Sequence, residues 1–450
     1  MGFLEQVRAA GVVGCGGAGF PAHAKFAAPT ERLIINAAEC EPLLRTDRWI
    51  AVNEADQVIR AVAAAREQLG AAEAVIALKE QYTAEIAALT AAVGRAGEAI
   101  RFHRLAGFYP AGDEQALVYE VTGRVVPPGG LPLDVGCVVS NVGTMAEVSR
   151  ALDGQPFVDR LLTVAGAVAE PCMVRAPIGT PFLECLRLAG GLTEAEDIII
   201  VSGGPLMGKP MTLEAAETAY VGKTTSGILA LPARAKLWQC HTASDRQVRT
   251  RAAAACIQCS FCTQLCPRWL MGHPLEPHQI MRRFGGGRAL EEMLDDPVIR
   301  AAQYCCECGV CELIACPMRL QPRKVNTQIK RALAAKGVRP TKGESGLSVR
   351  PFREERKIPT AGAAARAGAG AYYSTELAAD LREATPERVC ASLRGHIGAP
   401  ALPAVRKGER VTRGQLIGEI PEGKLGARYQ APIDGTVAAA DSGTITIDRG

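Results

Sequence analysis

The feature that most constrains this chain is a pair of cysteine runs. The first, Cys256-Ile-Gln-Cys259-Ser-Phe-Cys262-Thr-Gln-Leu-Cys266-Pro267, has the spacing C-x2-C-x2-C-x3-C-P. The second repeats the triplet as Cys305, Cys308 and Cys311, then places one extra residue before Cys316-Pro317. Three thiolates two residues apart can wrap one face of a cluster, while the cysteine before proline turns away toward the other cluster. The two runs therefore predict two [4Fe–4S] clusters. The simplest ligand sets are crossed: Cys256, Cys259, Cys262 with Cys316, and Cys305, Cys308, Cys311 with Cys266. Zinc is the competing reading, but zinc ribbons use paired C-x2-C knuckles rather than triplets closed by Cys-Pro. Cys306 would break the two-residue gaps and reads as packing beside a cluster.

The other cysteines do not suggest disulfides. The chain has 450 residues and 16 cysteines, nine of them in these two runs. A disulfide framework suits short exported chains, and MGFLEQVRAA has neither an apolar signal core nor a cleavage site. A cytoplasmic protein is expected. Hydrophobic content of 48% and a net charge of +4 describe a core-forming chain without the basic excess of a nucleic-acid binder. No apolar run is long enough for a membrane span.

Short β-branched runs at Arg32–Glu39, Ala72–Glu80 and Cys137–Gly143 read as buried parallel strands. Between the first two, Asp47 to Leu69 carries Ile50, Val58, Ile59 and Val62 at helical spacing, so an α/β domain is expected over 1–155. Residues 156–235 read as a compact α+β module, and 240–336 as helical segments around the cysteine runs. Residues 337–388, with the low-complexity GAAARAGAGA, read as a linker, and 389–450 as a small all-β domain rich in turn signals.

In GCGGAGFPAHAK, Gly14, Gly16, Gly17 and Gly19 allow close backbone approach to an anion, and Lys25 adds a charge. The usual dinucleotide fingerprint follows a strand, whereas Phe3 to Ala10 looks helical. By itself such a loop is more often structural than functional.

Longer motifs decide between these. GVVGCGGAGFPAHAKF, INAAECEPLLRTDR and YPAGDEQALVYEVTGRVVPPGGLPLDVGCVVSNVGT resemble the flavin- and NADH-binding subunit of respiratory complex I and the RnfC component of the Rnf electron-transport complex. Nearly the whole chain resembles the cobalamin reductase family of propanediol-utilisation microcompartments. The resemblance implies a Rossmann-like FMN/NADH domain, a soluble-ligand-binding β-grasp (SLBB) domain, a helical two-cluster ferredoxin-like domain and a C-terminal barrel-sandwich hybrid. It implies FMN contacts from Gly14, Gly16, Gly17, Gly19 and Lys25. Asn36, Glu39 and Glu41 would line the isoalloxazine and nicotinamide side, Gly112, Asp113 and Glu114 a second wall, and Asn141 and Thr144 would bond the flavin. Relatives of the complex I type usually carry an acidic residue where this chain has Ala38. Lys424 sits where a lipoyl lysine could stand, but Gly423-Lys424-Leu425 reads as an ordinary turn.

The family resemblance implies electron flow from NADH to FMN, to the two clusters and on to cobalamin. No protein acid or base is needed for the hydride step. The implied partners are NADH, cobalamin or a cobalamin-bearing adenosyltransferase, and microcompartment shell proteins. The rival readings are an Rnf-type ferredoxin:NAD subunit, a microcompartment electron conduit with another acceptor, and a non-catalytic module that holds clusters.

Overall fold

The computed structural model describes residues 1–193 and 196–450. Strands β1 (Arg32–Asn36), β2 (Glu73–Lys79), β3 (Ile100–Leu105) and β5 (Cys137–Asn141) form one parallel sheet in the order β3-β2-β1-β5, with β4 (Phe108–Tyr109) outside it. The apolar runs are fully buried because helices cover the sheet, as parallel pairing requires. The chain leaves β1 toward β2 on one side, and later returns as β5 on the other. Asn36 and Asn141 are register partners at the carboxyl ends of β1 and β5. That is the topological switch point, where open α/β sheets leave a crevice.

The expected helical stretch after β1 is two helices, Thr46–Asn53 and Ala55–Leu69, broken at Glu54. The break has a cause in tertiary structure. The buried Glu54 carboxylate accepts hydrogen bonds from Arg150 at 2.5 Å and Arg175 at 3.1 Å. A continuous helix would have to place those two arginines differently.

Strands β6 (Asp159–Gly166), β7 (Cys172–Pro177), β8 (Ile198–Ser202), β9 (Lys209–Thr212) and β10 (Gly227–Pro232) build a second, mixed sheet. The cluster region that follows is helical. The tail folds as two small antiparallel sheets, one containing Arg388–Ser392, Arg410–Val411, Gly435–Ala440 and Thr444–Arg449, the other Leu402–Pro403, Leu416–Glu419 and Tyr429–Gln430.

The segment read as a linker, 337–388, is built into the fold. Ile358–Pro359 pairs with β4, and Leu381–Glu383 adds an edge strand to β7. Between them Thr360–Ala367 is a helix with Ala363, Ala364 and Ala367 buried. Composition misleads here because alanine has too little side chain to show periodicity. Its small size nonetheless lets the helix pack in one cluster with Tyr109, Val310 and Leu313.

The tail packs on the α/β domain through a buried lysine. Lys223 donates from Nζ to the carbonyls of Gly11 and Arg428, both at 2.6 Å, and lies 4.3 Å from the Tyr429 ring centroid. Three domains meet at this one side chain.

Candidate functional site

The glycine loop is a closed hairpin. Val13 bridges Pro21, and Gly14 N–H donates to the Phe20 carbonyl at 2.9 Å. Cys15 N–H donates to Thr144 Oγ1 at 2.9 Å, and the Cys15 carbonyl accepts from Arg160 at 2.9 Å. The loop is thereby pinned to the helix Val142–Leu152 and to β6.

Beneath it lies a cavity of about 290 Å³ at the β1/β5 switch point, close to the lower end of small-molecule sites. Gly14, Gly16, Gly17, Gly19, Lys25, Asn36, Gly112, Glu114, Asn141 and Thr144 all line it. Asn141 caps the helix Val142–Leu152, its Oδ1 accepting from Gly143 N–H at 2.9 Å, so that helix begins at the cavity wall. Asn36 Nδ2 donates to the Gly112 carbonyl at 2.9 Å and holds the opposite wall. Lys25 Nζ donates to the Val139 carbonyl at 2.9 Å and to Glu114 at 3.2 Å. A part-exposed ion pair of this kind is weak, so Lys25 can turn to a stronger anion.

The glycines differ in what requires them. A Cβ on Gly16 would stand 2.7 Å from the Asn141 amide nitrogen, whereas one on Gly17 would meet nothing within 4 Å. Gly17 therefore leaves open space for an approaching group. Gly19 has φ +74° and a Cβ there would lie 2.8 Å from Thr224, so interdomain packing demands it. The open space at Gly17, a helix N-terminus and one lysine fit an FMN phosphate.

Three acidic residues expected at this site are absent from its wall. Glu39 faces away, and its Oε2 accepts from Asp47 N–H at 2.6 Å. Asp47 in turn accepts from Asn141 Nδ2 at 2.7 Å, so Glu39 reaches the cavity only through two intermediaries. Burial, with Asp47 adding to it, pushes the Glu39 carboxyl up, and burial pushes Asp47 up as well. Glu41 accepts from Leu206 N–H at 2.9 Å in the turn between β8 and β9. Burial raises it to about 7. Asp113 caps the helix Glu114–Thr122 and is paired with Arg268 at 2.5 Å and 2.9 Å. Glu41 and Asp113 bind elements remote in sequence, which no local pattern reports, while Glu39 binds the start of the next helix. Asp47 and Arg268 escape sequence reasoning for the same reason.

The cluster loops repeat one backbone conformation. Gln258 and Ser260 are left-handed, with φ +56° and +61°, and so are Glu307 and Gly309 at the matching places, with φ +58° and +79°. After the first triplet comes a short α-helical turn, Phe261–Gln264. After the second, the extra residue is absorbed by a π-helical turn, Val310–Ala315. Cys266 and Cys316 then leave with nearly the same dihedrals, φ −70° ψ 119° and φ −73° ψ 113°.

Two sets of thiols can be traced, Cys256, Cys259, Cys262 with Cys316 and Cys305, Cys308, Cys311 with Cys266, and Cys262 lies near enough to Cys311 to act on it. Cys256, Cys259, Cys262 and Cys316 line one small cavity. Burial pushes Cys262 up to about 12, and Cys316, Cys256 and Cys259 add to it. Burial also raises Cys311, with Cys305, Glu312 and Cys266 reinforcing it. Thiols raised in the way of Cys262 and Cys311 ionise against a cation, which suits iron–sulfur ligation. Cys306 packs between Cys308 and Arg268; the Cys308 hydrogen bond, then Arg268, lower its pKa against burial. His273 is a buried structural side chain, Nε2 standing 2.9 Å from the Val126 carbonyl, and His278 Nδ1 is 2.7 Å from Thr263 Oγ1.

The second group adjoins the flavin-side wall. Tyr109 OH donates to the Cys308 carbonyl at 2.6 Å, and Arg268 links the Cys266-Pro267 turn to Asp113 beside Gly112. The β-grasp turn is clamped between the same partners, since Glu41 takes Leu206 N–H and Arg323 donates to the Leu206 carbonyl at 2.7 Å.

Family models match along the chain: the Nuo51 FMN-binding domain over 7–150, the SLBB domain over 161–210, the 4Fe-4S dicluster domain over 255–321 and the RnfC barrel-sandwich hybrid domain over 375–448. The last begins before residue 389, taking in the Leu381–Glu383 strand. The chain is 43% identical to the cobalamin reductase PduS of Salmonella typhimurium, over 99% of this chain and 96% of that one. It is 42% identical to the cobalamin reductase PduS of Citrobacter freundii, over the same shares of the two chains, 99% and 96%. A chain of an NAD+-reducing [NiFe]-hydrogenase aligns with TM-score 0.49 and 21% identity, over 73% of this chain and 62% of that one, a likeness too loose to bear on the chemistry. With an FMN-binding domain and a dicluster domain in one polypeptide, the chain is a flavin and iron–sulfur oxidoreductase. It belongs to the family of the cobalamin reductase PduS.

Proposed function

We propose that this protein takes electrons from NADH and passes them through FMN and two [4Fe–4S] clusters to a cobalamin, free or held by an adenosyltransferase, within a bacterial microcompartment. The observation that carries the reading is the junction at Gly112–Asp113. Gly112 lines the cavity under the glycine loop, and its neighbour Asp113 is bonded to Arg268, two residues past Cys266. The relationship to cobalamin reductases over nearly the whole chain supports cobalamin as the acceptor.

Bound FMN supplies the exchange between a two-electron hydride donor and one-electron clusters. The chain's own part is positional. The Gly14–Gly19 loop and Lys25 hold the phosphate, and Asn36, Gly112, Glu114, Asn141 and Thr144 shape the space for the ring and its chain. Cys256, Cys259, Cys262 and Cys316 hold one cluster; Cys305, Cys308, Cys311 and Cys266 hold the other. Arg268, Tyr109 and Glu41 keep the two regions in fixed contact.

Anaerobic mixing of the loaded protein with NADH tests this. Flavin absorbance is expected to bleach before cluster absorbance, and added hydroxocobalamin to restore both. A flavin that NADH leaves oxidised overturns the reading.

A further inference from the structure

Beside Cys316 lies another cavity, of about 420 Å³, whose charge the proposed function does not use. Arg234, Lys236, Arg319 and Arg366 line it, and no acidic residue does. Among the described residues no carboxylate lies within the 4.0 Å ion-pair distance of any of these four cations. Lys236 is half-buried and spends Nζ on the Leu313 carbonyl at 2.7 Å; the three arginines are exposed. Burial pushes the Lys236 ammonium pKa down; Cys240 and Cys316 oppose it, and Arg319 and Arg366 add to it more weakly.

Three separate segments deliver these charges. Arg234 and Lys236 follow β10. Arg319 follows Cys316-Pro317 in left-handed backbone, φ +53°, which a non-glycine residue rarely adopts. Its N–H donates to the Cys316 carbonyl at 3.3 Å, and Arg251 holds the turn through the Arg319 carbonyl at 3.1 Å. Arg366 comes from the last turn of the helix Thr360–Ala367. There Gly368 allows close approach, since a Cβ would stand 3.3 Å from Ala235 Cα. Four like charges gathered around one cavity repel one another, and among its lining residues only Cys316, as a cluster thiolate, offsets them. A phosphate oxygen fan is the ligand that guanidinium forks satisfy best.

We propose that this cavity seats the phosphate group of a small-molecule electron acceptor against the Cys316 side of the first cluster. The inference rests on the outward electron flow proposed above. The cavity volume lies in the range of small-molecule sites, which favours a phosphate ester over an acidic protein face. Position favours an exit. The second thiol group adjoins the flavin wall, whereas the Cys316 group opens to the surface, with Ile257 60% and Phe261 46% exposed.

Calorimetric titration of the anaerobic, fully loaded protein with inorganic pyrophosphate tests the site. The expected result is a saturable binding event that weakens at least about tenfold in Arg319→Gln/Arg366→Gln and is unchanged in Lys407→Gln, an exposed cation elsewhere. Circular dichroism and iron content verify that the double variant is folded and loaded. No saturable binding, or equal affinity in the double variant, overturns the site. NADH bleaching is measured on the same samples. A protein that bleaches but does not bind pyrophosphate refutes the cavity alone, and one that binds but does not bleach refutes the electron path on which its role depends.

Discussion

Arg268 and Asp113 are 155 residues apart in sequence and form a two-pronged buried ion pair, with N–O distances of 2.5 Å and 2.9 Å. One end is fixed by the Cys266-Pro267 turn, the other by the helix cap beside Gly112. Removing one partner strands the other charge. Arg268→Gln is expected to cost ~3–5 kcal/mol of stability, and Arg268→Gln/Asp113→Asn less than the sum of the single variants. Thermal unfolding of the four proteins measures this, and strict additivity would show that the pair does not act as a unit.

Gly16 and Gly17 separate a steric demand from open space. Gly16→Ala drives a Cβ into the Asn141 amide at 2.7 Å, whereas the Gly17 Cβ direction is clear. FMN titration of deflavinated protein is expected to show affinity reduced about tenfold or more in Gly16→Ala, with the fold retained. Wild-type affinity in Gly16→Ala would place the flavin elsewhere.

Crossed ligation makes a pattern that nested ligation does not. Cys259→Ala and Cys316→Ala are each expected to remove about half the iron, and the double variant no more than either. Cys259→Ala/Cys266→Ala is expected to lose both clusters. Iron content and electron paramagnetic resonance of the reduced protein distinguish the cases; the reverse pairing would exchange the two double-variant results.

Glu41 gives a pH dependence. Burial raises its carboxyl to about 7, above the ordinary 4.5. Between those values the unfolded chain releases a proton that the folded chain keeps, so this contribution to stability falls as pH rises. Buried His273, held down to about 4 by burial, acts in the opposite sense, so the comparison must be between proteins that share it. Over roughly pH 5 to 7, Glu41→Gln is expected to gain a few degrees of melting temperature relative to wild type as pH rises. A constant difference would mean that Glu41 ionises normally in the fold.

What is local in this protein can be read from the chain alone. The cluster loops are legible because the ligand spacing repeats within a dozen residues. The buried strands are legible because β-branched runs between polar turns have few other uses. The glycine hairpin, with Asn36, Asn141 and Thr144, is legible through long family motifs. The roles of Glu41 and Asp113, by contrast, are set by contacts across the fold, and that of Glu39 by the turn into the next helix. Glu39, Glu41 and Asp113 look like cofactor ligands in sequence, yet a carboxylate takes whichever donor the fold brings to it. Here those donors are Asp47 N–H, Leu206 N–H and Arg268. The same contacts make the alanine-rich stretch after Thr360 a packed helix, since small side chains leave no pattern until something presses against them. The gathering of Arg234, Arg319 and Arg366 beside Cys316 is of the same kind. Charges from three distant segments meet only once the chain has closed around them.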